Sequence, residues 1–167
     1  MNKGREPRPL WAPWRMAFVQ GPPRHACFFC DYARQKKDRE NLVVLRGRTC
    51  FAILNRFPYN TGHLMVAPLA HKRDLGRLTA RERAELLDLL VTMQGALDRA
   101  LRPEGYNIGI NLGRVAGAGV PGHVHIHVVP RWGGDTNFMP VVGLTKVIPQ
   151  ALEDLYSQLQ KVLRKGR

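Results

Sequence analysis

Three imidazoles at alternate positions, in His123-Val124-His125-Ile126-His127-Val128-Val129, constrain this chain more than any other feature. The residues between the histidines are apolar and β-branched, so the period is that of a strand. Side chains alternate across a strand and the backbone rises roughly 3.3 Å per residue, which puts the three histidines on one face with about 6–7 Å between neighbours. Val124, Ile126 and Val128 then occupy the opposite face, which suits a core. An imidazole beside a core costs free energy unless it finds a polar partner, so three on one face mark a chemical surface rather than packing.

The rest of the pattern supplies a sheet for that strand. Leu42–Leu45 and Cys50–Leu54 read as a hairpin around Arg46-Gly47-Arg48, and His63–Ala67 reads as a strand after the turn-rich Phe57–Gly62. Tyr106–Leu112 alternates likewise, and the histidine strand ends at Pro130. Thr79 and Glu82 form a capping-box signature, and Leu86, Leu90, Met93 and Leu97 recur at helical spacing to about Leu101, where Pro103 stops the helix. A second helix starts near Pro149, with Leu152, Leu155, Leu159 and Val162 on one face. Hairpins with segregated helices predict an α+β fold. The 167 residues are 44% hydrophobic, enough for one core, so residues 27–167 are expected to form a single catalytic domain. Residues 1–26 are a basic segment rich in proline, whose Leu10–Val19 insert with Trp11 and Trp14 is expected to dock on the domain or at a subunit contact.

Lys and Arg outnumber Asp and Glu to give a formal charge of +13, which concentrates anionic partners such as nucleotides, polyphosphates or nucleic acid. No apolar h-region follows Lys3, Arg5 and Arg8, and no apolar run reaches the ~20 residues of a membrane span, so a soluble cytoplasmic protein is expected. Three cysteines, two of them in Cys27-Phe28-Phe29-Cys30, fit a reducing compartment and half a zinc site. Cys50, inside a strand, is expected to pack.

Three roles suit the histidine face: a metal centre, nucleophilic catalysis by imidazole, or packing with local hydrogen bonds. A redox or hydrolytic metal centre commonly adds a carboxylate, and Asp135 is the sole acidic residue between Gly105 and Ala151. As a nucleophile, one ring nitrogen attacks phosphorus while the other donates to a fixed acceptor. The preceding loop, Asn111–Gly122, carries glycines whose backbone N–H groups can approach phosphate without Cβ interference. That placement favours phosphoryl-group chemistry, which depends on positioning and charge stabilisation.

With these residues in view, the chain resembles the histidine triad (HIT) superfamily of nucleotide hydrolases and transferases. His123–Val129 meets the triad motif, and Asn55, Gly62–Pro68 and His71 match the upstream block, so the core resemblance runs from about Leu42 to Trp132. Trp11–Met16, Leu54–Asn60, Ala116–Gly119 and Pro130–Met139 look like the bacterial branch that includes diadenosine tetraphosphate phosphorylases. The resemblance implies a HIT-like antiparallel sheet of about five strands, one long central helix, a C-terminal helix, and dimerisation that extends the sheet. It implies that His125 attacks the α-phosphorus to form a nucleotidyl-histidine, that His127 hydrogen-bonds the leaving oxygen, and that His123 supports the phosphate site or a metal. Asn55 would hold ribose hydroxyls, Ile53 and Leu54 would lie near the base, and Asn111 with the backbone of Gly117, Ala118 and Gly119 would contact phosphate. Many hydrolase members carry a phosphate-binding glutamine in that loop, where this chain has Ala118 and Gly119. Zinc-bearing relatives pair such a Cys-x-x-Cys with two histidines, which makes Cys27, Cys30, His71 and His123 the candidate ligands of a structural zinc; His25 is an alternative. No organic cofactor is expected.

The leading expectation is phosphorolysis of diadenosine tetraphosphate to ATP and ADP, with inorganic phosphate as acceptor, by a homodimer or higher homo-oligomer. Hydrolysis of dinucleoside polyphosphates or of nucleoside phosphoramidates is the alternative within the superfamily. From another class, the basic ends and a zinc site would suit a nucleic-acid-binding module with salt-sensitive affinity. Against it, the chain lacks an aromatic-rich single-strand platform and a basic recognition helix.

Overall fold

The computed structural model describes residues 27–136, 148 and 150–165. The expectations for residues 1–26, including His25 and the tryptophan insert, and for Pro149 lie outside them. Strands β1 (Val43–Arg46), β2 (Cys50–Leu54), β3 (Leu64–Pro68), β4 (Gly105–Ile110) and β5 (Ile126–Arg131) form one antiparallel sheet in the order β1-β2-β3-β5-β4. The fold is α+β, as the pattern predicts. Helix α3 (Ala80–Leu101) joins β3 to β4, and helix α4 (Leu152–Lys165) packs beside α3 on the same side of the sheet.

Local chemistry explains these boundaries. The Thr79 hydroxyl accepts from the Glu82 N–H at 3.2 Å while Glu82 Oε2 accepts from the Thr79 N–H at 2.7 Å, so two orphan donors at the start of α3 are satisfied reciprocally. Arg102 ends the helix in the left-handed region, just before Pro103. Leu86, Leu89, Met93, Ala96 and Leu97 turn inward from α3, and Leu155, Tyr156 and Leu159 from α4. They meet Ala52, Leu54, Leu64, Val66, Val124, Ile126 and Val128 from one face of the sheet.

The opposite face has its own smaller cluster of Val43, Phe51, Ile53, Met65 and Ala67, covered by Phe29. Phe29 lies on helix α1 (Phe28–Arg34), which is followed by helix α2 (Asp38–Asn41); the sequence pattern predicts neither helix. Arg46, read from sequence as part of a turn, is the last residue of β1, and it holds α1 in place. Its guanidinium donates to the carbonyls of Tyr32, Ala33 and Gln35 at 2.6, 3.0 and 2.8 Å and to Asp38 Oδ1 at 2.7 Å. A cation thereby satisfies the carbonyls left open at a helix C-terminus.

One strand departs from expectation. The β5 ladder begins at Ile126, three residues later than the alternation predicts, so His123 and His125 precede it. The cause is local competition for backbone groups. Pro68, the last residue of β3, gives its carbonyl to His123 Nε2 at 2.8 Å, and the Val124 N–H goes to the Lys72 carbonyl at 2.6 Å. The alternation of faces survives: Val124, Ile126 and Val128 enter the helix-side core, whereas His123 and His125 contact Phe29 on the other side.

Candidate active site

The rings of His125 and His127 lie 4.8 Å apart at 72°, and backbone and side-chain partners fix opposite roles for them. His125 Nδ1 lies 2.8 Å from the carbonyl oxygen of His123. A carbonyl only accepts, so Nδ1 carries the proton and Nε2 carries the lone pair. For His127 the order is reversed. The Tyr59 N–H donates to His63 Nδ1 at 3.0 Å, which puts the proton of His63 on Nε2. His63 Nε2 then donates to His127 Nδ1 at 2.9 Å, leaving the His127 proton on Nε2. The two neighbouring imidazoles therefore offer one lone pair and one N–H. Burial favours the neutral forms of His125 and His63: desolvation lowers His125, and it pushes His63 down to about 3 with help from His127 and His125.

His63, which the sequence reads as a structural histidine, belongs to this hydrogen-bonded chain. It is fully buried, with the Tyr59 ring 4.6 Å from its own and the Asn55 amide 3.4 Å from both ring nitrogens. Asn55 Oδ1 accepts from the Phe57 N–H at 2.9 Å, fixing that amide at the end of β2.

Cys27, Cys30, His71 and His123 converge beside this pair. One potential ligand atom from each lies within 4.8 Å of every other. His123 Nδ1 is 3.3 Å from Cys27 Sγ and 3.6 Å from Cys30 Sγ, and His71 Nδ1 is 3.3 Å from Cys30 Sγ. A tetrahedral zinc with ordinary Zn–S and Zn–N bonds has S···N edges of about 3.6 Å, so the cluster fits that ion. The outer contacts fit as well, because His123 Nε2 donates to Pro68 and thereby turns Nδ1 toward the sulfurs. Burial lowers His123 to about 4 and raises the Cys30 thiol to about 11, the latter also through its hydrogen bond and charge coupling to Cys27. A bound cation would reverse the thiol shift, since a coordinating thiol is deprotonated outright. Two backbone devices bring His71 here: the Lys72–Val124 bond, and the lack of a side chain at Gly122, where a Cβ would stand 3.2 Å from His71 Nε2.

A family model described as HIT domain matches residues 36–134. The chain belongs to the HIT family. It is 43% identical over 153 residues to the AP-4-A phosphorylase of Mycobacterium tuberculosis, covering 87% of this chain and 78% of that protein. It is 30% identical over 106 residues to an adenosine 5'-monophosphoramidase of Schizosaccharomyces pombe, covering 64% of this chain and 74% of that one. Among solved structures, a zinc-bound histidine triad protein from Mycobacterium smegmatis superposes with a TM-score of 0.68 at 27% identity, covering 84% of this chain and 94% of that one.

Within this HIT domain the remaining candidates are placed unequally. Ile53 shares the face of His127, through the ladder pairs Ile53 with Met65 and Met65 with His127. Leu54 points the other way, into the core beneath α3, so its side chain is not on the histidine face. Asn111 lies just past the end of β4. Gly117 takes φ +81°, a conformation that favours glycine, and its N–H bonds the Arg114 carbonyl at 3.0 Å; the Ala118 N–H bonds that of Gly113 at 3.3 Å. Two of the expected phosphate donors thus serve the loop's own turns in this structure. Cys50 is buried, with its thiol 3.5 Å from the Glu82 carbonyl. Among the described residues, no helix is long and apolar enough to cross a membrane.

Proposed function

We propose that this HIT protein transfers a nucleotidyl group by way of a covalent nucleotidyl-histidine on His125, acting on diadenosine tetraphosphate with inorganic phosphate as acceptor. The observation that carries the reading is the opposite proton placement on adjacent neutral imidazoles, a lone pair on His125 and an N–H on His127. His125 Nε2 attacks the α-phosphorus, forming an N–P bond while the bridging P–O bond breaks. His127 Nε2 passes its proton to the departing oxygen, and ATP leaves. An oxygen of inorganic phosphate then attacks the same phosphorus, gives its proton to His127, and displaces His125 to yield ADP. Asn55 holds the ribose of the attacked nucleotide, with Ile53 near its base, and Asn111 and the Gly119 N–H meet the phosphates, while the Gly117 and Ala118 N–H groups hold the loop's own turns. The choice of tetraphosphate and phosphate is supported by the likeness to the M. tuberculosis phosphorylase.

Cys27, Cys30, His71 and His123 would hold a zinc ion. Four protein ligands close its shell, so it would supply a cross-link rather than an open coordination site. That cross-link would steady His123, whose carbonyl orients the nucleophile. A cytoplasmic setting suits the thiols. A homodimer is supported by the edge of β4, which is open among the described residues, with Ile108 46% exposed, and by Leu87 and Val91 on α3, 58% and 65% exposed.

The test is to incubate the protein with diadenosine tetraphosphate, with and without inorganic phosphate, and to separate the products. ATP and ADP formed only with phosphate support the reading. ATP and AMP formed regardless of phosphate favour the second reading, in which water is the acceptor, as the likeness to the phosphoramidase would suit.

A further inference from the structure

We infer that the cleft beyond His127, on the side away from the cysteine and histidine cluster, receives the nucleoside end of the leaving group; the inference rests on the proposed nucleotidyl transfer. The cleft has a volume of about 220 Å³ and is lined by Tyr59, Asn60, Asn107, Val129 and Arg131. Val129 follows His127 by two residues along β5, so it continues the same face, and Asn107 is its ladder partner on β4. His127 stands between the two ends of a bridged dinucleotide: Ile53 lies toward β2, and the cleft lies toward β4. Gly109, opposite His127 in the ladder, has open space where a side chain would be, so a phosphate chain can cross there.

The lining suits a nucleobase or sugar better than a phosphate. Asp135 accepts from Arg131 Nε at 2.5 Å and Nη2 at 2.9 Å, from Asn60 Nδ2 at 2.8 Å, and from the Trp132 N–H at 3.2 Å. The guanidinium charge is therefore matched inside the wall, and the described lining offers no net positive charge. Arg131 Nη1 donates to Asn107 Oδ1 at 2.6 Å, which fixes the amide and makes its Nδ2 N–H groups the donors Asn107 can present. Tyr59 rests one ring face near His63 and is 41% exposed, leaving aromatic surface for stacking. Whole-ligand pockets run roughly 300–1,000 Å³, so this smaller cleft takes one moiety of a ligand and not a full nucleotide.

The experiment compares kcat/KM for diadenosine tetraphosphate with kcat/KM for adenosine 5'-tetraphosphate, which keeps the phosphate chain and lacks the second nucleoside. Asn107→Leu removes the donors, and Val129→Leu fills the cleft from its floor. Loss of one neutral hydrogen bond corresponds to a fall of up to about tenfold, and each variant is expected to lower the ratio of the two values by about that factor. Either variant lowering the ratio supports the inference. A ratio unchanged in both, whether the two rates hold steady or fall together, overturns it. If the unaltered protein turns over neither compound, the nucleotidyl-transfer reading itself fails, and the subsite with it.

Discussion

Replacing His63 with phenylalanine cuts the chain that runs from the Tyr59 N–H through His63 to His127. The ring shape is nearly kept, and a buried neutral imidazole becomes a buried apolar ring, so folding is expected to survive. His127 Nδ1 loses its donor, and with it the constraint that keeps its proton on Nε2. A neutral hydrogen bond is worth about 0.5–1.5 kcal/mol net, and about 1–3 kcal/mol when its partner is left unsatisfied. At 1.36 kcal/mol per tenfold in rate, the cost lies between about twofold and 150-fold. His127 is only half-buried, so water recovers part of the bond and the lower part of that range, about three- to thirtyfold, is expected. The assay is kcat/KM on two adenylyl substrates. One is a phosphoramidate, whose amine must be protonated to leave; the other is a nitrophenyl ester, whose phenolate leaves without a proton. The fall should be confined to the phosphoramidate. An equal fall with both would refute the reasoning, because a displaced nucleophile slows both alike while a lost proton donor does not.

Arg46→Met removes the guanidinium that closes the C-terminus of α1 and is expected to weaken the proposed zinc binding by about 10–100-fold, read by competition with a chromogenic chelator. The Thr79 N–H hydrogen bond holds the Glu82 carboxyl below its ordinary value, so Glu82 stabilises the fold at neutral pH and the benefit is lost as pH falls through the folded-state value. Glu82→Ala should therefore cost about 0.3–1.5 kcal/mol at pH 7, and its melting temperature should converge on that of the parent protein well below pH ~4. Leu97→Ala, in the core under the sheet, should cost about 2–5 kcal/mol in urea unfolding.

The parts of the fold legible in the sequence are those whose signal is periodic or chemically specific. The capping box at Thr79 and the apolar spacing along α3 locate that helix, and the alternation at 123–129 assigns each side chain to its face. Helix α1 escaped because seven residues span too few turns to show a period, and Cys27 at its N-cap makes no side-chain cap. The late start of β5 escaped for another reason: a side chain, His123, takes the Pro68 carbonyl, and residue patterning does not register such competition. In the site, a lone histidine such as His63 reads as packing until the Tyr59 N–H and His127 are seen on either side of it. The family resemblance implies that Leu54 lies near the base, yet strict alternation along β2 sends it to the face opposite Ile53.

The most direct test of the account is to trap the covalent intermediate. The protein is mixed with diadenosine tetraphosphate in the absence of inorganic phosphate, quenched in alkaline denaturant because N–P bonds are acid-labile, and analysed by mass spectrometry. An adenylyl group on His125 is expected, accompanied by release of ATP up to one equivalent per site, with no adduct in His125→Ala. Turnover to products with no adduct at any quench time, or an adduct on another residue, would contradict it.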